Sequence, residues 1–546
     1  MNFEQERAPG LPWPAFIAWN RSLGTAGVVV AYLILGALTL SPLLWVTTPA
    51  LVDYPNHLAR MWILVHGRDI PELASNYAAH WRILPDLAMD LIVPALAQVM
   101  SVEAAGRVFV ALTMASLAGG TAALHRALHG RVGLWPIVAW LFVYNLALAW
   151  GFLNCVFGIG AALFAFAGWI VTRQWRAAPR LALFAIIASV LFILHLFAFG
   201  LYGLAVASYE IGNRLTDRRY SWSSFFSLCA AGTQFIPALA FWVASLAESG
   251  PSVTRYGSLD GKLYAAFAPF AFNTTPQLFD RMLILLCVSF WLVGRMSRAI
   301  TLAPAMRVPL AVMLGAAIAM PHVLNGSAGA DARLPVALLF IVIASMRIDE
   351  KHFRLLGLFA ALALVFLGLR VWAVSTSWQD YDAHFTEFRA ADRVIAPGAR
   401  LLIVDAPLPE SEQVIAGVPH ALAARASMNF AHMPGLAVID RSVFMPYLFS
   451  GWTSISPTAR NAGLFKTSAP PLSPEDLATA AKMDEPDSPY AQPDLRGELP
   501  YWRDWAKHFD YLLWVDFGAN LLLPQEKNLT PVATGSFFKI YRIVRP

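Results

Sequence analysis

Long apolar runs alternate with short polar segments over the first two thirds of this chain, and the polar segments carry clustered arginines. The first run, Gly24 to Trp45, contains no charged residue. A helix needs ~20 apolar residues to cross a hydrocarbon core, so this run predicts a membrane span. Arg7 and Arg21 precede it and no convincing small-residue cleavage site accompanies it, which predicts a retained span and not a signal peptide.

Retained Lys and Arg mark cytoplasmic loops. Five such loops stand between the apolar runs: Arg126 with Arg131; Arg173, Arg176 and Arg180; Arg214, Arg218 and Arg219; Arg295, Arg298 and Arg307; Arg347, Lys351 and Arg354. Placing them inside with the N-terminus predicts spans at roughly 24–45, 104–124, 134–150, 152–171, 181–196, 197–212, 224–247, 281–297, 308–325, 333–346 and 355–376, about eleven in all. The stretch 181–212 is too long for one ordinary helix and is expected to fold as a hairpin with His195 near its turn. The run 333–346 is short enough for a tilted or partly re-entrant element.

Three segments then lie outside. The first, about 46–103, contains Asp53, the Leu58–Val65 stretch, and apolar runs interrupted by Pro85, Asp86, Asp90 and Pro94 that suit interfacial helices. The second, 248–280, carries Glu248, Arg255, Tyr256, Asp260, Lys262 and Tyr264. The third is everything after about Ser377. From Trp378 to Pro546 charge, Pro and turn residues increase and no apolar run nears span length. The chain therefore divides into a transmembrane domain, 1–377, and an extracytoplasmic α/β domain, 378–546. In the latter, Arg400–Asp405, Gly435–Asp440, Tyr511–Asp516 and Phe537–Ile543 read as strands, Tyr381–Ile395 reads as a helix, and 455–500 reads as a long loop.

Composition agrees with a polytopic α-helical membrane protein: 58% of residues are hydrophobic and 14% charged, with a mean hydropathy of +0.55. A water-soluble fold is a poor fit to those values. The net charge of +5 is dispersed over short loops that topology explains, so it implies no nucleic acid. Cys155, Cys229 and Cys287 fall in expected spans, which leaves the outer domain without disulfides. The absence of CxxC, HExxH, Walker and strand-to-helix GxGxxG patterns argues against redox, zinc and ATP-driven chemistry.

Polar groups near membrane depth concentrate on the outer side, and such groups are functional candidates by default. In Leu51-Val-Asp53-Tyr-Pro55-Asn-His57-Leu-Ala-Arg60, a helix starting at Pro55 puts His57 and Arg60 on neighbouring faces, with Asp53 just before the first turn. The plain alternative is that Asp53 is a helix cap. In the run from Met320 to Pro335, His322, Asp331 and Arg333 form a second cluster. Arg333 stands at the outer end of a span, against the positive-inside bias, and an arginine there can bind a phosphate bidentately. An Asp331–Arg333 pair or snorkelling would explain it as well. His195 is either a ligand or a satisfied structural donor. Arg255 and Tyr256 either close over a bound headgroup or form a solvated loop.

One acid beyond the first span, a long first outer loop with interfacial helices, about eleven spans, an Arg-x-Pro entry into a late span and a C-terminal outer domain together resemble the GT-C superfamily of membrane glycosyltransferases. That superfamily includes protein O-mannosyltransferases, lipid A aminoarabinose transferases and oligosaccharyltransferases. The resemblance implies Asp53 as catalytic acid–base residue, and Asp331-Ala-Arg333-Leu-Pro335 is similar to the segment that holds the donor phosphate. It also implies a polyprenyl-phosphate-linked sugar donor, a glycan, lipid or protein acceptor, contact with membrane lipid, and a bacterial cytoplasmic (inner) membrane location with the tail in the periplasm. His57, Arg60, His195, Arg255, Tyr256 and His322 join Asp331 and Arg333 as candidate substrate-binding residues.

Two departures limit what transfers. The Asp-Glu pair common in the mannosyltransferase and aminoarabinose branches is Asp53-Tyr54 here, and the tail has no Trp-Trp-Asp motif. The reaction class is therefore expected and the sugar is not. A divalent metal is neither required nor excluded, since Asp53 and His57 are two ligands where zinc or calcium sites use about four or more. The rival reading is a non-enzymatic transporter, flippase or cell-envelope scaffold. Against transport stand the lack of paired repeats with broken helices and the scarcity of acids within the spans.

Overall fold

The structure, a computed structural model, describes residues 24–131, 133–216, 221–246, 254–324, 327–406, 429–450, 454–465, 471–480, 500–516 and 528–545. Arg7, Arg21, Arg218, Arg219, Glu248, Asn325 and Gly326 lie outside those residues.

The fold is mostly helical, and among the described residues 7 helices are long and apolar enough to cross a membrane: Thr25–Leu44, Val102–His129, Leu153–Gln174, Ala177–Leu194, Trp222–Ser245, Gln277–Met296 and Leu355–Val394. Four expected spans are shorter, more polar or interrupted. Leu196–Thr216 forms one helix, and the hairpin turn falls at His195, whose extended backbone separates it from Ala177–Leu194. Phe184 stacks near Tyr202, and Phe192 meets Phe199 edge-on, as expected of antiparallel neighbours. Arg307–Ala319 has 13 residues and Ala330–Ser345 has 16, so the late spans are short ones.

The 134–150 region is not a continuous span. It breaks into a 3-10 turn, Trp135–Val138, and the helices Ala139–Phe142 and Leu146–Ala149. Its uncharged sequence hides the break because hydropathy does not register where backbone groups find partners. The Asn145 side chain accepts the Leu148 N–H at 3.1 Å. Arg370 donates to the Tyr144 carbonyl, to the Phe270 carbonyl and to Asp280, each at 2.7 Å. A buried guanidinium thus replaces the missing helix bonds.

Arg370 lies on the 39-residue helix Phe353–Ala391. At 1.5 Å per residue that helix is roughly 58 Å long, about twice a hydrocarbon core of ~30 Å. Its C-terminal half leads into the C-terminal domain, the outer domain of the expected topology, and Asp382 on it accepts the N–H groups of Thr47 and Thr48 at 2.9 and 2.8 Å. The start of the first outer loop is thereby tied to the helix.

Among the described residues eight short strands, β1 to β8 in chain order, are Tyr77–Ala79, Ile300–Leu302, Met346–Ile348, Leu401–Ala406, Ile455–Pro457, Tyr511–Asp516, Leu529–Thr534 and Phe538–Ile543. The outer domain is built on the sheet β4-β6-β8-β7, in which β4 and β6 run parallel and the other pairs antiparallel. Gly435–Arg441, expected as a strand, is instead a helix buried against Tyr54–His66. A short apolar run buried on all sides carries no period that separates the two forms. Part of the 455–500 stretch is regular as well: it supplies β5 and the helix Pro474–Ala480.

First loop and outer domain are sewn together. β1 pairs antiparallel with β5, Asn76 donates to the carbonyls of Gly398 and Ser442 at 3.2 and 2.9 Å, and the Met445 N–H donates to the Tyr77 hydroxyl at 2.8 Å. The outer domain therefore sits directly over the helix that begins at Tyr54.

Candidate active site

Pro55 starts the helix Tyr54–His66, and Asp53 occupies the capping position without any side-chain cap bond. Its backbone is held elsewhere: the Asp53 N–H donates to the Trp150 carbonyl at 3.1 Å and the Val52 N–H to the Ala149 carbonyl at 3.0 Å. Gly151 makes that approach possible. It has φ +82, and a Cβ there would lie 2.8 Å from the Asp53 nitrogen. The Asp53 backbone is clamped and its carboxylate is left for other work.

That carboxylate faces the outer domain. His432 Nε2 lies 3.3 Å from Asp53 Oδ1. Asn56, buried one turn into the helix, contacts His432 Nδ1 at 2.9 Å, donates to the Tyr447 carbonyl at 3.2 Å and accepts the Phe449 N–H at 2.8 Å. Phe449 packs between two imidazoles, with ring centroids 5.2 Å from His57 and 5.0 Å from His432. Close approach of the domains depends on Gly435, where a Cβ would meet the Pro55 carbonyl oxygen at 2.8 Å.

Burial, followed by the field of Arg60, pushes the His57 pKa down from 6.5 to about 4. His57 is accordingly a neutral imidazole and not a cation for phosphate. Because the folded pKa is depressed, this group's contribution to stability is present above pH ~6.5 and is lost as pH falls toward about 4. We expect the melting temperature of the wild type, measured against His57→Gln, to decline across that window and to hold steady above it. A difference independent of pH would contradict the neutral, buried assignment.

Arg60, an expected substrate ligand, is buried and paired with Asp90, which also accepts a bond from Ser454 of the outer domain. It joins the first-loop helices to the outer domain, so its charge is already matched.

The second cluster gathers around the start of Ala330–Ser345. Asp331 is buried and turns to His322 Nδ1 at 3.0 Å and Lys262 Nζ at 3.8 Å, and no ion pair joins it to Arg333 among the described residues. Arg333 lies over the Phe152 ring, 4.4 Å from its centroid, and donates through Nη2 to Ser327 Oγ at 2.8 Å and the Ala328 carbonyl at 3.0 Å. Its Nε is buried, with no hydrogen-bond partner among the described residues. Arg255 forms a two-bond antiparallel bridge with Val323 at 3.0 and 2.9 Å, which brings the second outer loop beside His322 and leaves Tyr256 exposed. His195 is a satisfied structural group: Nδ1 accepts the Phe197 N–H at 3.0 Å and Nε2 lies 3.4 Å from Asp86 Oδ1.

A single turn joins the two clusters. Trp150 holds the backbone of Asp53, and Phe152, two residues on, underlies Arg333. The Asp53 cluster, with Asn56, His57 and His432, is thus linked to that turn through Trp150, and the Arg333 cluster, with His322 and Asp331, through Phe152. Among the described residues no three His, Cys, Asp or Glu side chains converge as a metal site. Sequence reasoning missed His432, Asn56 as its partner and Phe152, and it named Lys262 only as a residue of the second outer segment. Asn56 adjoins His57, which the sequence had singled out, whereas His432 lies 379 positions from Asp53 and carries no local signal.

No protein family model matches the chain, and no curated protein matches it by sequence. Two solved structures are similar over nearly the whole length. One is ArnT from Cupriavidus metallidurans bound to undecaprenyl phosphate, 10% identical, covering 95% of this chain and 98% of that one at a TM-score of 0.47. The other is the apo state of the same protein, 10% identical, covering 97% and 98% at a TM-score of 0.49.

Proposed function

We propose that the chain is a membrane glycosyltransferase that moves a sugar from a polyprenyl-phosphate donor to an acceptor hydroxyl at the outer face of the membrane. The observation that carries this reading is an uncapped carboxylate and a guanidinium whose Nε has no hydrogen-bond partner among the described residues, both tied to the turn at 150–152. An acid and a cation so placed suit a reaction in which a proton leaves one oxygen while charge builds on another.

In this reading the donor phosphate rests against Arg333, with Lys262 and His322 beside it. The acceptor oxygen attacks the anomeric carbon from the Asp53 side. As the new C–O bond forms, the acceptor proton passes to Asp53. The bond from the anomeric carbon to the phosphate oxygen breaks, and its electron pair stays on the departing polyprenyl phosphate. One displacement inverts the anomeric centre. No step requires a metal.

The phosphate role of Arg333 has a direct test. A charge-assisted hydrogen bond is worth about 1.5–3 kcal/mol, so Arg333→Ala is expected to weaken binding of a short-chain polyprenyl phosphate by roughly 10- to 150-fold. Isothermal titration of the purified protein measures this. Unchanged affinity in Arg333→Ala would remove Arg333 from the phosphate site.

A further inference from the structure

We infer that His432, contributed by the outer domain, is a positioning residue for Asp53, and that Asn56 fixes it in the neutral tautomer that can donate to that carboxylate. The inference rests on the reading of Asp53 as the proton acceptor. It makes the outer domain a working half of the site and not a separate appendage.

The tautomer follows from the hydrogen-bond inventory. The Phe449 N–H is a donor, so the atom of Asn56 that meets it at 2.8 Å must be the amide oxygen. The Asn56 nitrogen therefore points to His432 Nδ1 at 2.9 Å and to the Tyr447 carbonyl at 3.2 Å, and its two hydrogens are both used. Facing a donor, Nδ1 must carry a lone pair. The ring proton then sits on Nε2, 3.3 Å from Asp53 Oδ1.

The same arrangement disfavours the other tautomer. A proton on Nδ1 would meet the Asn56 amide hydrogens head on. Turning the amide over would set its nitrogen against the Phe449 N–H and its oxygen against the Tyr447 carbonyl. His432 can hold Asp53 Oδ1 and leave Oδ2 to receive the acceptor proton, but it cannot relay that proton onward. His57, next to the pair on the first-loop helix, is acted on by Arg60, Asp53, Asp90 and His432. Tyr447, whose ring centroid lies 5.9 Å from that of His432, faces it from the outer domain.

The test uses the full-length protein in lipid nanodiscs with ¹⁵N-labelled histidine, the His432 signal being identified by its loss in His432→Phe. The expected result is an Nε2–H tautomer with an unprotonated Nδ1. An Nδ1–H tautomer, or a charged ring at neutral pH, overturns the inference without reference to activity. Kinetics supply the functional half. His432→Phe keeps the ring volume and removes the donor. It is expected to lower kcat roughly 10- to 100-fold, as loss of an orienting partner does, with an unchanged KM for donor and the acidic limb of the pH–rate profile moved upward. His432→Gln, which retains an N–H, is expected to recover part of the loss. If Asp53→Asn abolishes transfer while His432→Phe keeps full kcat, the positioning role falls and the transferase reading survives. If Asp53→Asn transfers normally, both fall.

Discussion

Asp53→Asn is expected to lower sugar transfer by at least ~10²–10⁴-fold, the usual contribution of a positioned general base, with donor affinity and melting temperature unchanged. The two halves of that expectation separate the catalytic role from the structural one. Asn caps helices about as well as Asp, and the Asp53 side chain makes no cap bond. The backbone bonds to Trp150 and Ala149 survive the substitution, because they involve main-chain groups only. What the amide lacks is the capacity to take a proton. A variant that folds, binds donor and releases no polyprenyl phosphate is the expected product.

Arg370→Ala is expected to be the most damaging change outside the site, at about 3–5 kcal/mol, the cost of leaving a buried charge without its partner. Arg370 is fully buried and paired with Asp280, which also receives the Thr275 hydroxyl at 2.9 Å. Its loss also strips the Tyr144 and Phe270 carbonyls of their donor. Because residues 142–150 carry the turn that clamps Asp53, activity is expected to fall with stability. Thermal unfolding in detergent measures the first loss. The double variant Arg370→Met/Asp280→Leu is expected to recover much of it, since no charge then remains unpaired. Equal instability in the single and double variants would point to the lost carbonyl bonds as the main term.

The helices long and apolar enough to span were legible because hydrophobic length follows from the bilayer. The hairpin at His195 comes from the same signal, whereas the continuous helix Phe353–Ala391 was expected as two pieces, 355–376 and Tyr381–Ile395. The interruption at 142–146 was not legible, since its backbone partners are a distant arginine and its own Asn145. Three of the four strands expected in the outer domain are present, and the fourth, Gly435–Asp440, is a helix because burial on every side erased its period. Within the site, Asp53, His322, Asp331 and Arg333 could be picked out as polar residues where polarity is costly. Arg60 and His195 met the same criterion, yet the structure spends them on Asp90 and Asp86. His432 could not be found this way, because an imidazole in a polar domain is unremarked until the fold carries it across to the first loop.

The measurement that bears most directly on the central claim is a titration of the purified wild type, Asp53→Asn and Arg333→Ala with short-chain polyprenyl-phosphate sugars, following donor binding and release of polyprenyl phosphate together. The account predicts binding and release in the wild type, binding without release in Asp53→Asn, and weakened binding in Arg333→Ala. Release that persists in Asp53→Asn, or a wild type that binds none of a broad panel of donors, would contradict it and return the chain to a transporter or scaffold role.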